Sequence, residues 1–220
     1  MIRFLFAALV MLFTFQVDAS KLLIPMDDDQ VNHLKAYGIA YWVLQNNIEV
    51  EWLLNYRGGS FLIGNYPDIQ AECTIRGVTA QVIADVQAQQ IYNEINDPEV
   101  NMERVKLEVV PKIAVYSPKN KLPWDDAVTL VLTYAEIPYT VLYDEEVIRG
   151  ELPKYDWLHL HHEDFTGQYG KFYRSFRNAA WYQEEVRSQE ATASALGFKK
   201  VSEMKRAVAI EMKNFVVGGG

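Results

Sequence analysis

One cysteine among 220 residues, Cys73, leaves no partner for an internal disulfide, so the fold must rest on an apolar core. Basic clusters are absent as well. Lys and Arg number 21 against 29 Asp and Glu, a net charge of −8, which excludes partners bound through phosphate neutralisation, nucleic acid first and anionic lipid with it. No apolar run beyond Phe15 approaches the ~20 residues that a bilayer span needs. Histidine is scarce: four in all, and three of them (His159, His161, His162) crowd into YDWLHLHHEDFTGQYGKF, residues 155–172. What the chain does have is apolar bulk. Half of it is hydrophobic, with five Trp and thirteen Tyr, enough for a sizeable core.

The first segment predicts a signal peptide. Arg3 supplies a positive start, Phe4 to Phe15 is an uncharged apolar run too short to span a bilayer, and Val17-Asp18-Ala19 places small residues where a signal peptidase reads them. Cleavage near Ala19 makes Ser20 the mature N-terminus. The expected product is exported, periplasmic or extracellular, and not inserted in a membrane after cleavage.

Strand and helix signals alternate along the remaining residues. KLLIPM (21–26), VEWLLNY (50–56), VTAQVI (78–83), KIAVYS (112–117), YTVLYDEE (139–146) and DWLHLH (156–161) read as strands. NHLKAYGIAYWVLQ (32–45), PDIQAECTIRG (67–77), ADVQAQQIYNEI (84–95) and DDAVTLVLTYAEI (125–137) read as helices, and the remainder to Phe215 is mostly helical with a break at Gly197-Phe198. NDPEVNMERVKLEVVP (96–111) is polar and aperiodic and reads as a linker. The expected organisation is therefore a 20–95 half, the 96–111 linker and a 112–220 half, in an α/β fold whose parallel sheet is covered by helices on both faces.

Ligands of an open parallel sheet bind beyond the carboxyl ends of its strands. That rule gathers Asp27-Asp28-Asp29, the Arg57-Gly58-Gly59 turn, Asp144 and the 161–169 run, including Gln168, as candidate ligand-binding positions. Arg57 and the backbone of Gly58 and Gly59 could cradle an anion, although a plain glycine turn is the simpler reading. The acids at 27–29, and Asp125-Asp126, read more simply as helix caps. His161, Glu163 and Asp164 could ligate a divalent metal. The simpler reading, preferred to a metal site, has His159 hydrogen-bonded within the sheet and the run His161-His162-Glu163-Asp164 as a polar loop. Cys73 lies in an amphipathic helical segment and reads as a small buried apolar residue. No cofactor is implied.

The strand KIAVYS, its following helix, the strands YTVLYDEE and DWLHLHHED, Gly167, and a last helix ending NFVVGGG together resemble the class I glutamine amidotransferase-like fold, a flavodoxin-like architecture. LLNYRGGSFL, KIAVYSPKN, PWDDAVTLVLTYAEIPY and HLHHEDFTGQYGKF are similar to a family of exported bacterial proteins usually labelled asparagine synthetase B, along nearly all of the mature chain. The resemblance implies an amide hydrolase or transferase. It gives the loop from His161 through His162 to Gly167 the position that supplies an oxyanion-hole N–H, and it implies that the nucleophile elbow lies beyond Gly220, so that the sheet is incomplete and its open edge prone to self-association. The motifs of asparagine synthetase B enzymes themselves are absent: residue 2 is Ile2, not cysteine, and no Ser-Gly-Gly loop occurs. A second reading keeps the cleft at the strand carboxyl ends as a non-catalytic binding site for a glycan, peptide or small molecule, and a third is a metal-dependent hydrolase.

Overall fold

The computed structural model describes residues 20–118, 126–160 and 175–219 and is an α/β fold of two compact units. The first unit holds residues 20–31 and 49–107. Its strands are β1 (Ser20–Ile24), β2 (Val50–Leu54), β3 (Ser60–Gly64), β4 (Gln81–Ala84) and β5 (Glu103–Leu107), with helices α2 (Pro67–Arg76) and α3 (Asp85–Ile95) between them. Helix α1 (His33–Gln45) lies between β1 and β2 in sequence but belongs to the second unit.

The sheet of the first unit runs β4-β1-β3-β2-β5 with every pairing antiparallel, not parallel as expected. The cause is local. Leu54 and Ser60 are joined by one tight turn in which Asn55, Arg57, Gly58 and Gly59 all take positive φ, and a connection that short can only return a strand antiparallel. The connectivity β1-α1-β2-β3-α2-β4 with strand order 4-1-3-2 is that of a split βαβ unit. Leu23, Leu53, Leu62 and Ile83 point from the sheet to Ala88, Ile91 and Ile95 of α3, and this forms the core. The expected linker 96–111 carries β5, which pairs with β2 from Val50↔Leu107 to Leu54↔Glu103. ERVKL escaped recognition because an edge strand exposed on one side can be as polar as a loop.

The second unit holds residues 32–48 and 108–219. Its sheet is parallel, in the order β7 (Thr140–Leu142), β6 (Ile113–Tyr116), β8 (Trp157–Leu160). All four residues of β6 are buried, as a central parallel strand covered on both faces requires. On one face Ala114, Tyr116 and Leu142 pack with Val147 of α5 (Asp144–Ile148), Leu152, and Val208 and Met212 of the last helix. Two helices close the chain, α6 (Ala180–Ala195) and α7 (Val201–Val217), separated by Gly197 at φ 84°.

Helix α4 (Ala127–Ala135) meets α1 so closely that a Cβ on Gly38 would stand 1.9 Å from the Ala135 carbonyl oxygen. Around that contact Asn32 donates to the Tyr134 hydroxyl at 2.8 Å and Lys35 pairs with Glu136. The expected strand 139–146 is shorter than its sequence suggests. Asp144-Glu145-Glu146 open α5, where the Tyr143 N–H donates to Glu146 Oε2 at 3.0 Å and the acids face the positive helix end.

Candidate functional site

The carboxyl edge of the parallel sheet gathers the polar residues of the second unit. Ser117 follows β6 and is buried, and its N–H donates to Leu142 O at 3.0 Å. Alternation divides the rest between two faces. Val115 pairs with His159 and Tyr116 with Leu160, so His159 shares a face with Val115 and turns away from Tyr116.

On the first face, His159 Nε2 lies 3.1 Å from Asp126 Oδ1. Asp126 is the N-cap of α4, and the same oxygen accepts the N–H groups of Val128 at 2.8 Å and Thr129 at 3.1 Å. Burial pushes this carboxyl up, but the Thr129 and Val128 donors and His159 together outweigh burial and hold it below its ordinary 3.8. Both side chains keep some solvent contact. The His–carboxylate pair is therefore oriented, partly open, and able to hold a proton between its two members.

On the second face lies a closed cluster. Lys205 of α7 and Asp144 are 2 % and 1 % exposed. Lys205 Nζ donates to the Tyr116 hydroxyl at 2.9 Å, the Tyr143 hydroxyl at 3.1 Å and Asp144 Oδ1 at 2.9 Å, and the Tyr116 hydroxyl donates to the same Oδ1 at 2.5 Å. Nζ is equally near Oδ2, at 2.8 Å, but that oxygen accepts no well-formed hydrogen bond. The ammonium also sits 4.3 Å from the Tyr143 ring centre and 5.5 Å from that of Tyr116.

Of the residues expected from the sequence, Asp144 lies in this cluster. Arg57, Gly58 and Gly59 lie in the other unit, in the β2–β3 turn. The Arg57 guanidinium is already engaged: Nε to Asp27 Oδ2 at 2.6 Å, Nη2 to Asp27 Oδ1 at 3.1 Å and to Asp29 Oδ2 at 2.6 Å, Nη1 to Gln81 Oε1 at 3.3 Å. Asp27 and Asp29 thus serve Arg57 instead of capping a helix, and Asn32 caps α1. The hydrogen bond from Arg57 holds the Asp27 carboxyl below its usual value. Gly58 is obligatory, since a Cβ there would meet the Met26 carbonyl oxygen at 2.3 Å. Cys73 is buried, and that burial pushes its thiol up to about 11, which makes it an inert core residue.

His161, His162, Glu163, Asp164, Gly167 and Gln168 lie outside the described residues. Among the described residues no three of His, Cys, Asp and Glu are grouped to hold a metal, and no helix is long and apolar enough to cross a membrane.

Sequence reasoning passed over Lys205, Tyr116 and Tyr143. A signal existed for the lysine: Val201, Lys205, Val208 and Met212 recur at steps of four, three and four, so Lys205 sits in the buried stripe of α7. The partnership of Asp126 with His159 had no such signal, because 33 residues separate them.

No protein-family model, curated protein or solved structure matches the chain.

Proposed function

We propose that the chain is an exported α/β protein whose second unit is flavodoxin-like, of the glutamine amidotransferase-like kind, and binds a carboxamide-bearing ligand at the carboxyl edge of the parallel sheet. One observation carries the reading. The strand order β7-β6-β8 means that the chain leaves β6 to one side for β7 and then crosses to the other side for β8. In a doubly wound sheet this is the order 2-1-3, and ligands settle where the connections diverge, here between β6 and β8. Ser117, Asp126 and His159 stand at or beside that point. A His–carboxylate pair suits recognition of an amide, which offers one donor and one acceptor side by side. N-terminal sequencing of protein recovered outside the cytoplasm should begin within two residues of Ser20, and an intact Met1 there would overturn export by signal cleavage.

Among the described residues no nucleophile is poised at this edge, and Cys73 is inert, which favours binding over turnover as the property of these residues. The test is a thermal-shift series with L-glutamine, L-asparagine and a short peptide amide, run beside an ammonia assay. A ligand-dependent rise in melting temperature that His159→Ala abolishes, with the unliganded melting temperature little changed, is the expected result. Ammonia release would add hydrolysis to binding. No shift with any of the three probes would overturn the site.

A further inference from the structure

The Lys205–Asp144 cluster is unlike an ordinary ion pair in its surroundings and in its aim. Both residues are buried, and their neighbours in sequence and on the strand, Ala114, Leu142, Val147 and Val208, belong to the apolar core. Nζ stands 2.9 and 2.8 Å from the two carboxylate oxygens, so the carboxyl carbon between them is within reach of the amine. Two tyrosine hydroxyls complete the shell. Keeping two opposite charges dry is costly, and an amide would remove both at once.

We propose that Lys205 and Asp144 condense to an intramolecular isopeptide bond. Nζ first passes one proton to Oδ2 across the 2.8 Å contact, leaving an amine opposite a carboxylic acid, the uncharged pair that an apolar interior favours. The nitrogen lone pair then attacks Cγ. The charge that develops on Oδ1 is met by the Tyr116 hydroxyl, which already donates to that oxygen at 2.5 Å. The second proton follows from Nζ to Oδ2 across the same 2.8 Å contact. The Cγ–Oδ2 bond breaks and Oδ2 leaves as water; it accepts no well-formed hydrogen bond that would hold it back. The three hydrogens of the ammonium end as one on the amide and two on water, the charges cancel, and neither oxidant nor reductant is consumed. The bond ties α7 to the start of α5 across 61 residues, in a chain whose single cysteine cannot supply a disulfide.

Mass spectrometry of the purified full chain decides it. The denatured protein should weigh one water less than its processed sequence, and trypsin should yield a branched peptide that joins the Asp144 and Lys205 segments and resists cleavage after Lys205. Lys205→Arg, which keeps a cation but cannot form the amide, should have the full mass. A wild-type chain of full mass, cleaved after Lys205 into separate segments, would overturn the assignment. So would a water loss without the branched peptide, which would place the dehydration elsewhere.

Discussion

Lys205 interrupts the apolar stripe of α7, and what its removal does depends on what is left behind. Lys205→Met strands the Asp144 carboxylate in a dry pocket, and Lys205→Met with Asp144→Leu, which removes that buried charge, should be the more stable of the two variants by about 3–5 kcal/mol. Urea unfolding of the two variants at neutral pH checks the contrast, and equal stabilities would refute it. Cys73 makes a second case. With its thiol at about 11 and its side chain buried, it should resist alkylation by iodoacetamide at pH 8 and react once the chain is unfolded in denaturant. Asp126 carries a pH dependence of definite sign. Its carboxyl is lower in the folded chain than its ordinary 3.8, so the stability it contributes is fully present above that value and is lost as pH falls towards the folded one. Asp126→Ala should cost about 1 kcal/mol at neutral pH through the lost N-cap, and the difference from wild type should shrink as acid unfolding is followed below pH 4, by roughly the same amount.

At the scale of elements, helix ends were the most legible part of the sequence, because they are written in neighbouring residues. Asp126 caps α4, Pro67 and Gly77 bound α2, and Gly197 divides α6 from α7, although the cap of α1 is Asn32 and not the acids at 27–29. Strand partners were not legible. Ser20 pairs with Ala84 and Val50 with Leu107, choices made between segments dozens of residues apart, so a sheet read as parallel proved antiparallel in the first unit. The candidate site divides in the same way. Asp144 could be found from its place after a strand, but Lys205 reaches it from a helix 61 residues away. Gly38 shows how packing overrides propensity. Within a helix alanine is ordinarily better than glycine by about 1 kcal/mol, yet at this crossing the added methyl would collide with the Ala135 carbonyl. Gly38→Ala should therefore lower the melting temperature, with a net loss of about 1–3 kcal/mol. A raised melting temperature would show that the two helices can move apart at little cost.

At the scale of the whole molecule, the division into units does not follow the order of the chain. Residues 32–48 belong with 108–219, so no single cut yields two complete pieces. A fragment spanning 108–220 lacks α1 and leaves Ala135 without the helix that adjoins it in the full protein. That fragment should bind a hydrophobic dye and unfold without a cooperative transition, and restoring residues 32–48 through a flexible linker should bring cooperativity back. Cooperative unfolding of the bare fragment would show that α1 is dispensable. The Asn32–Tyr134 bond, which spans 102 residues, also sets a clock. A ribosome adds about 5–20 residues per second, so α1 is finished about 5–20 s before the surface it will lie on exists. For that interval α1 has no α4 to meet, and whichever chaperone or export factor holds the nascent chain must shield its apolar residues, Ile39 and Val43 among them. Codon changes that slow translation between residues 48 and 126 would lengthen the wait without altering one amino acid, and the yield of soluble protein should fall with it.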